Sequence, residues 1–277
     1  MPHLTTLEHL KSHLDAPEGD DALLEALIAR VSAAVQQALG REVVEAAYRA
    51  ERHDGTGSRR LRLRHWPVQE VLRLSIGVIS ALRVWNDSAE SGALAAFAAS
   101  TDEALRLRLV GGPHAGLDEV ALAPHDSVDD LAGAVAALGK GWHAAPCGQA
   151  PEQTPAADLL PTGAGLHALD ASAAFHAPRA PLGDAVLEDP AAGVLHRAAG
   201  FPRGNGNVVV DYIAGYETVP GDIEHACLLW AAAAYNRLKA GGDGLRSEGL
   251  GDLSQAFQQD VPAEVRRILD ARREVLA

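Results

Sequence analysis

Apolar residues recur at helical spacing near the N-terminus and predict two amphipathic helices. The first covers 7–14, and Thr5 as N-cap with Glu8 three residues later forms a capping box. The second has an apolar stripe from Leu24 to Leu39, and Gly40 stands where a C-terminal glycine ends a helix. Because both helices have an apolar face, both are expected to pack against other elements.

Two further helices are predicted near the C-terminus. Pro220 opens a long, alanine-rich helix that ends before Gly241-Gly242. The last helix follows Pro262, and its inward-facing residues are expected to be Val265, Ile268 and Leu269.

Alternation of apolar and polar residues predicts strands between these helices. Residues 46–66 are typical of a β-hairpin, because Asp54-Gly55 suits a tight turn. Further strands are predicted at about 71–78 and at 207–216. On the second hairpin strand three arginines share one face, opposite Leu61 and Leu63: Arg60, Arg62 and Arg64.

Residues 81–200 differ from their flanks in being rich in Ala, Gly, Pro and His. Within them a β-β-α-β unit is predicted at about 104–145, with Ser127 capping its helix. Residues 146–182 show little periodicity and are interpreted as loop or extended chain.

These patterns predict an α+β fold with a mainly α-helical core of about four helices, a β-hairpin and a few strands. The core is expected to consist of 1–80 and 201–277. Residues 81–200 are expected to form a small inserted α/β lobe that projects from it.

Charge and composition narrow the functional classes. The chain of 277 residues has 24 Lys+Arg and 37 Asp+Glu, a net charge of −13, which disfavours a general nucleic-acid binder. Two cysteines are too few for a disulfide framework or a four-thiolate metal site. No apolar run approaches the roughly 20 residues that span a bilayer. We therefore expect a soluble protein made in a reducing cytoplasm, with no membrane partner.

The sequence contains no recognisable catalytic or cofactor motif. The motifs GxSxG, HExxH and GxxxxGK[ST] are absent, as is a GxGxxG after a strand, so neither enzyme activity nor a cofactor or metal is predicted. A hydrolase site in 81–200 remains an alternative hypothesis, for which the candidate histidines are His125, His143, His167 and His176.

Two basic clusters stand out in this acidic chain. One is the hairpin stripe, and the other lies on the last helix at Arg266, Arg267, Arg272 and Arg273. The hairpin stripe is either a solvated sheet face or a contact surface. The helix cluster is either paired with Glu264 and Asp270 along the helix or a contact surface. As contact surfaces, both would suit acidic partners or DNA.

The order of these pieces resembles the head–tail connector, or adaptor, proteins of tailed bacteriophages and phage-like particles. The N-terminal helix pair is followed by a WPV strand, and GLRSEGLGDLSQAF and a closing helix after VPAEV come last. The most specific stretch is YIAGYETVPGDIEHAC, which precedes the alanine-rich helix. The resemblance covers about 4–80 and 200–277.

This resemblance implies a structural virion protein of the neck, made in the host cytoplasm and assembled into a ring that is expected to be twelve-fold. Its implied partners are further copies of itself, the portal protein, a downstream neck or tail protein, and double-stranded DNA that slides through without tight binding. The family's C-terminal segment, here about 245–277, would reach toward the portal. An alternative is a surface or tail module that binds glycan or host material through 81–200.

The acidity is concentrated in the inserted segment. Residues 81–200 hold 15 Asp+Glu and 6 Lys+Arg, a net of −9, while the rest of the chain has a net of −4. The negative charge thus argues against tight binding of phosphates by the whole chain, but not against a protein that lets DNA slide past.

Overall fold

The computed structural model describes residues 3–15, 17, 19–148, 153–239, 247–250, 253–256 and 261–274. In this part of the chain the fold is α+β and rich in strands, so the prediction of a mainly helical protein is wrong. The helices are α1 (Leu7–Leu14), α2 (Asp21–Leu39), α3 (Ser88–Ser91), α4 (Val128–Ala137), α5 (Gly221–Lys239) and α6 (Ala263–Glu274), with a 3-10 turn at Ala156–Asp158.

Antiparallel strands form five sheets in the described residues. The strands are β1 (Ala46–Gly55), β2 (Arg60–Arg62), β3 (Val68–Ile76), β4 (Val78–Asn86), β5 (Ala95–Ser100), β6 (Ala104–Val110), β7 (Gly116–Ala121), β8 (Trp142–Pro146), β9 (Leu166–His167), β10 (Ala173–Pro178), β11 (Ala185–Asp189), β12 (Val194–Arg197), β13 (Gly204–Ala214), β14 (Ser247–Leu250) and β15 (Leu253–Ala256). Their orders are β1-β13-β3, β10-β4-β8, β11-β12-β2, β7-β6-β5-β9 and β14-β15.

The predicted hairpin at 46–66 is wrong, because its two strands belong to different sheets. Strand β1 pairs with β13, and β2 pairs with β12. Asp54 and Gly55 are the last residues of β1 and contact the start of β13: the Gly55 amide donates to Asn207 Oδ1 at 2.8 Å, and Asp54 accepts from the Gly206 amide. The predicted turn at Asp54-Gly55 is therefore also misplaced: the chain leaves β1 only after Gly55, at 56–59, where Gly57 has φ 85°.

Helices α1, α2, α5 and α6 pack around one shared apolar cluster. Leu24, Ile28 and Val35 of α2 are fully buried, as are Ile223 and Cys227 of α5. By length and composition α2 is apolar enough to cross a membrane, with a mean hydropathy of 1.3, but its apolar stripe lies in this cluster. The N-cap of α1 is Thr6 rather than Thr5, because Thr6 Oγ1 accepts from the His9 amide.

A second apolar cluster lies entirely between residues 81 and 177. It is formed by the inward faces of the β10-β4-β8 and β7-β6-β5-β9 sheets together with α4, which Ser127 caps as predicted. The predicted β-β-α-β unit is partly wrong: β6, β7, α4 and β8 all form, but β8 pairs with β4 instead of joining the sheet of β6 and β7. Strand β10, within the stretch interpreted as loop, covers the other edge of β4.

Arg73 on β3 joins this second cluster to the β1-β13-β3 sheet, which we call the central sheet. Its guanidinium lies 2.7 Å from Asp158, on the 3-10 turn, and 2.7 Å from Asp211, on β13. Burial acts to lower the pKa of Arg73, but both carboxylates outweigh that effect and raise it. Asp211 also accepts from the Ala50 amide at 2.6 Å, so one ion-pair network holds β1, β3, β13 and the 3-10 turn.

Replacing Arg73 should therefore destabilise the protein. In Arg73→Ala the half-buried carboxylates of Asp158 and Asp211 lose their shared cation, and we expect a loss of about 2 kcal/mol in the free energy of unfolding. Urea unfolding followed by circular dichroism measures it. Arg83→Ala, which removes an exposed arginine of β4, is the matched control, and equal stability of the two variants would contradict the role of Arg73.

Candidate interaction surfaces

The segment YIAGYETVPGDIEHAC, at 212–227, carries the most specific part of the resemblance to connector proteins. It forms the joint between β13 and α5. Tyr212 is fully buried at the end of β13, and Gly215 has φ 105°, where a Cβ would lie 2.5 Å from the Val44 carbonyl oxygen. Only glycine fits this close approach. Tyr216 exchanges backbone hydrogen bonds with Val43 and Glu45, and α5 begins at Gly221. The segment thus sets the angle at which the helices leave the sheet.

Both ends of α5 are fixed to the N-terminal helices by polar contacts. Near its start, Glu224 Oε1 accepts from Thr5 Oγ1 at 3.1 Å and lies 2.6 Å from His9 Nδ1, and this hydrogen bond raises the pKa of His9. Near its end, Lys239 and Tyr235 both donate to the Asp20 carboxylate. The helices are therefore held in one arrangement by charge pairs as well as by apolar packing.

Glu51 lies at the centre of a buried polar cluster on the central sheet. Its carboxylate lies 2.7 Å from His53 Nε2 and 3.4 Å from His65 Nε2, and it accepts from the Tyr212 hydroxyl at 3.1 Å. Burial acts to raise the pKa of Glu51, but the contacts with His53, Tyr212 and His65 prevail and lower it. Tyr48 stacks on His65 with ring centroids 3.8 Å apart. The sequence does not predict this cluster, because only the pairing of β1 with β13 brings the distant Tyr212 to the other members.

The basic stripe begins on β2, continues to Arg64 just beyond it, and shows the predicted alternation. Leu61 and Leu63 are buried, while the three arginines are exposed. Within the described structure each arginine contacts this same chain: Arg60 binds both Glu188 carboxylate oxygens at 2.6 and 2.7 Å, Arg62 lies over the Trp66 ring, and Arg64 donates to the Arg52 carbonyl. The stripe is thus partly neutralised and partly stacked within its own subunit.

The four arginines of α6 divide into two pairs. Arg272 makes two hydrogen bonds to Asp222 of α5, at 2.7 and 2.8 Å, and Arg273 donates to the Ala38 carbonyl of α2. Arg266 and Arg267 are exposed. Arg267 lies only 3.9 Å from Glu264, a weak contact between two exposed side chains. The first pair holds α6 against the bundle, and the second pair is accessible to another molecule.

The four histidines proposed for a hydrolase site lie on separate elements. His143 is on β8, stacked on Trp85 and 3.2 Å from Glu90, while His167 is on β9 and His176 is exposed on β10. His125 lies in the loop before α4. Among the residues that the structure describes, no group of three or more His, Cys, Asp or Glu side chains could hold a metal ion.

One side-chain row that the sequence analysis missed crosses the outer face of the β7-β6-β5-β9 sheet. Directly paired positions place Leu117 beside Arg108, Arg108 beside Phe97, and Phe97 beside His167. The residues come from four strands, so no local sequence pattern groups them. We call Leu117, Arg108, Phe97 and His167 the cross-strand row.

Lowering the pH should weaken the cluster around Glu51. Burial lowers the pKa of His65, so its stabilisation is complete above the unfolded pKa of about 6.5 and falls as the pH drops below it. Glu51, whose pKa is also lowered, loses its contribution at more acidic pH. The contribution of His65 to the urea midpoint, measured from pH 7.5 to pH 5, should therefore fall, while His9, whose pKa is raised, acts in the opposite direction.

His65→Phe keeps a ring against Tyr48 and removes the titrating group, so its urea midpoint should lack this contribution to the pH dependence over that range. Tyr48→Phe is the control, because it retains His65 and should retain the wild-type pH dependence. Identical profiles for His65→Phe and the wild type would contradict this assignment.

Comparisons with known proteins find only distant similarity. No family model and no curated protein matches the sequence. Among solved structures, the chain is similar to one from the neck of an empty gene transfer agent (GTA) particle computed with C6 symmetry, at 15% identity over 98% of this chain and 89% of that chain, with a TM-score of 0.34. A chain from the virion of the native GTA particle has 16% identity over the same shares, with a TM-score of 0.34. A chain from the native neck computed with C12 symmetry has 16% identity over 98% of this chain and 93% of that chain, with a TM-score of 0.32. These similarities do not establish a family for the chain.

Proposed function

We propose that this protein is a head–tail connector subunit of a tailed phage or phage-like particle. Copies of the chain form a ring beneath the portal, extend the DNA channel and carry the next neck or tail protein. The observation that carries the proposal is the location of the most specific resembling residues. They form the joint of β13 and α5, where their packing explains the sequence without any catalytic role.

The helical part has a surface suited to neighbours in a ring. Leu228, Leu229 and Trp230 of α5 are only partly buried in the subunit. A groove of about 340 Å³ lies between α2 and α5. Its lining is apolar at Val31 and Trp230 and cationic at Arg30 and Arg237. A helix that is apolar on most sides is normally covered, and a neighbouring subunit would cover this one.

The inserted segment is proposed to be a lobe of its own. Its support is the separate apolar cluster, which draws every buried member from residues 81–177. Strands β11 and β12 lie within the predicted insertion and pair with each other, and β12 also pairs with β2 of the core, so this sheet connects the two parts. Most of the negative charge belongs to this segment, and a channel that it lines or borders would not hold DNA phosphates tightly.

The proposed portal contact is on α6. Of its arginines, Arg266 and Arg267 are exposed, while Arg272 and Arg273 are occupied by α5 and α2. We therefore assign portal docking to Arg266 and Arg267, and the fixing of α6 to Arg272 and Arg273.

Electron microscopy of the purified protein with the portal protein of the same particle tests the ring. We expect closed rings, twelve-fold when bound to the portal, because a head-to-tail contact closes when its rotation divides a full turn. A protein that stays monomeric at every concentration and does not bind the portal would refute the connector function.

Charge reversal on α6 separates docking from folding. Arg266→Glu combined with Arg267→Glu should weaken portal binding at least tenfold at low salt, since it replaces two exposed cations with anions. The thermal unfolding midpoint should stay near that of the wild type. Arg272→Ala is the comparison variant: it removes the contact with Asp222 and should lower the midpoint. Unchanged portal affinity of the charge-reversed protein would exclude this surface.

A further inference from the structure

We infer that the cross-strand row is one side of a contact between neighbouring copies of this chain, and that the acidic end of the lobe is the other side. The acidic end consists of five exposed carboxylates beside the start of α4: Asp102, Glu103, Asp126, Asp129 and Asp130. This inference rests on the proposed ring and specifies how adjacent subunits recognise each other.

The cross-strand row has the features of a protein contact surface. Leu117 is 57% exposed, Arg108 and His167 are exposed, and the Phe97 ring meets the His167 ring edge-on at 6.1 Å. Beside the row the lining residues are small: Ala98, Ala99 and Gly165, where an added Cβ would lie 3.3 Å from Phe97 Cβ. The result is a groove of about 380 Å³ whose lining includes the Phe97 ring and the side chains of Arg106 and Arg108.

Arg108 lacks a carboxylate partner in the described residues, as do Arg83 and Arg179 of the same segment, whereas the other three basic residues of 81–200 are paired. Arg106, the strand neighbour of Arg108, is paired with Glu119 at 2.8 Å, Lys140 with Asp118 at 2.7 Å and Arg197 with Asp184 at 2.8 Å. Arg108 projects from the middle of a sheet beside Phe97. A partner that brings a carboxylate to this position would form an ion pair with Arg108.

The acidic end offers that carboxylate. The Leu122 amide donates to the Glu103 carbonyl at 2.8 Å, which brings the turn before β6 next to the segment leading into α4. Ser127 caps the helix, so the free carboxylates of Asp129 and Asp130 are not used for capping. In the described residues none of the five side chains has a cationic partner.

The two surfaces lie on opposite sides of the sheet. Leu105, Leu107 and Leu109 of β6 point into the cluster that contains α4, whereas Arg106 and Arg108 alternate with them and point away from it. A two-fold contact through the row would bring Arg108 against Arg108. Opposite charges on opposite sides instead favour a head-to-tail contact, the kind that builds a ring.

The charge of the lobe favours a protein over a polyanion as the partner. With a net of −9 over 81–200, a polyanionic glycan or nucleic acid reaching Arg108 would pass close to many carboxylates. A second copy presents the five carboxylates of its acidic end at the row, and at physiological salt the repulsion between its other charges and this lobe is screened beyond about 8 Å.

Charge exchange between two variants tests this contact. Arg108→Glu reverses the row, and Asp129→Arg with Asp130→Arg reverses the acidic end. Each variant alone should need at least tenfold more protein than the wild type to form rings, as measured by mass photometry with and without portal protein. An equimolar mixture should recover assembly, because each row then faces the opposite charge in an alternating ring.

The controls separate this contact from folding and from the connector function. Arg83→Glu, which reverses an exposed arginine on β4, should assemble like the wild type. Rings that form normally from Arg108→Glu, or a mixture that fails to recover, would overturn the contact and leave the connector function intact. Loss of heparin binding by Arg108→Glu with unchanged assembly would also overturn it, in favour of a polyanion site. A wild-type chain that never forms rings would remove both proposals.

Discussion

The fold depends on strand β13, whose backbone is paired along both edges. Val208, Val210, Tyr212 and Ala214 of this strand are buried. Buried amide and carbonyl groups need hydrogen-bond partners, and β1 and β3 supply them on either side. Because β13 runs directly into the joint with α5, its pairing fixes the position of the helices as well as that of the sheet.

The same rule for buried polar groups governs the charges around this strand. Glu51 of β1 is held by two histidines and a tyrosine, and Arg73 of β3 lies between two carboxylates. Each network combines residues from at least two elements, so it stabilises one mutual arrangement and penalises others. The buried cation Arg41 is less completely paired. It lies against the Trp66 carbonyl and ring, and burial lowers its pKa.

Pairing also decides which surface charges are available to partners. Arg272 and Arg60 are exposed in part, yet each binds a carboxylate of its own chain, and such contacts contribute to the internal architecture. Arg266 and Arg108 have similar chemistry but project from the surface. In a connector, this division would keep the subunit rigid while leaving a few cations for assembly, with the bulk acidity limiting adhesion to DNA.

The sequence by itself determined the local elements: the helices with their apolar stripes, Ser127 as a cap, Gly40 at the end of α2, and the alternation of Arg60 to Arg64 with buried leucines. These follow from side-chain periodicity and backbone preference, which act over a few residues. Only the tertiary structure decided that β1 pairs with β13, that β2 belongs to a different sheet from β1, and that β8 pairs with β4. Hydrogen bonding between strands is equally available to any strand of suitable register, so burial of the whole set selects the partners. The Glu51 cluster and the cross-strand row likewise require residues that are distant along the chain, and sheet order alone brings them together.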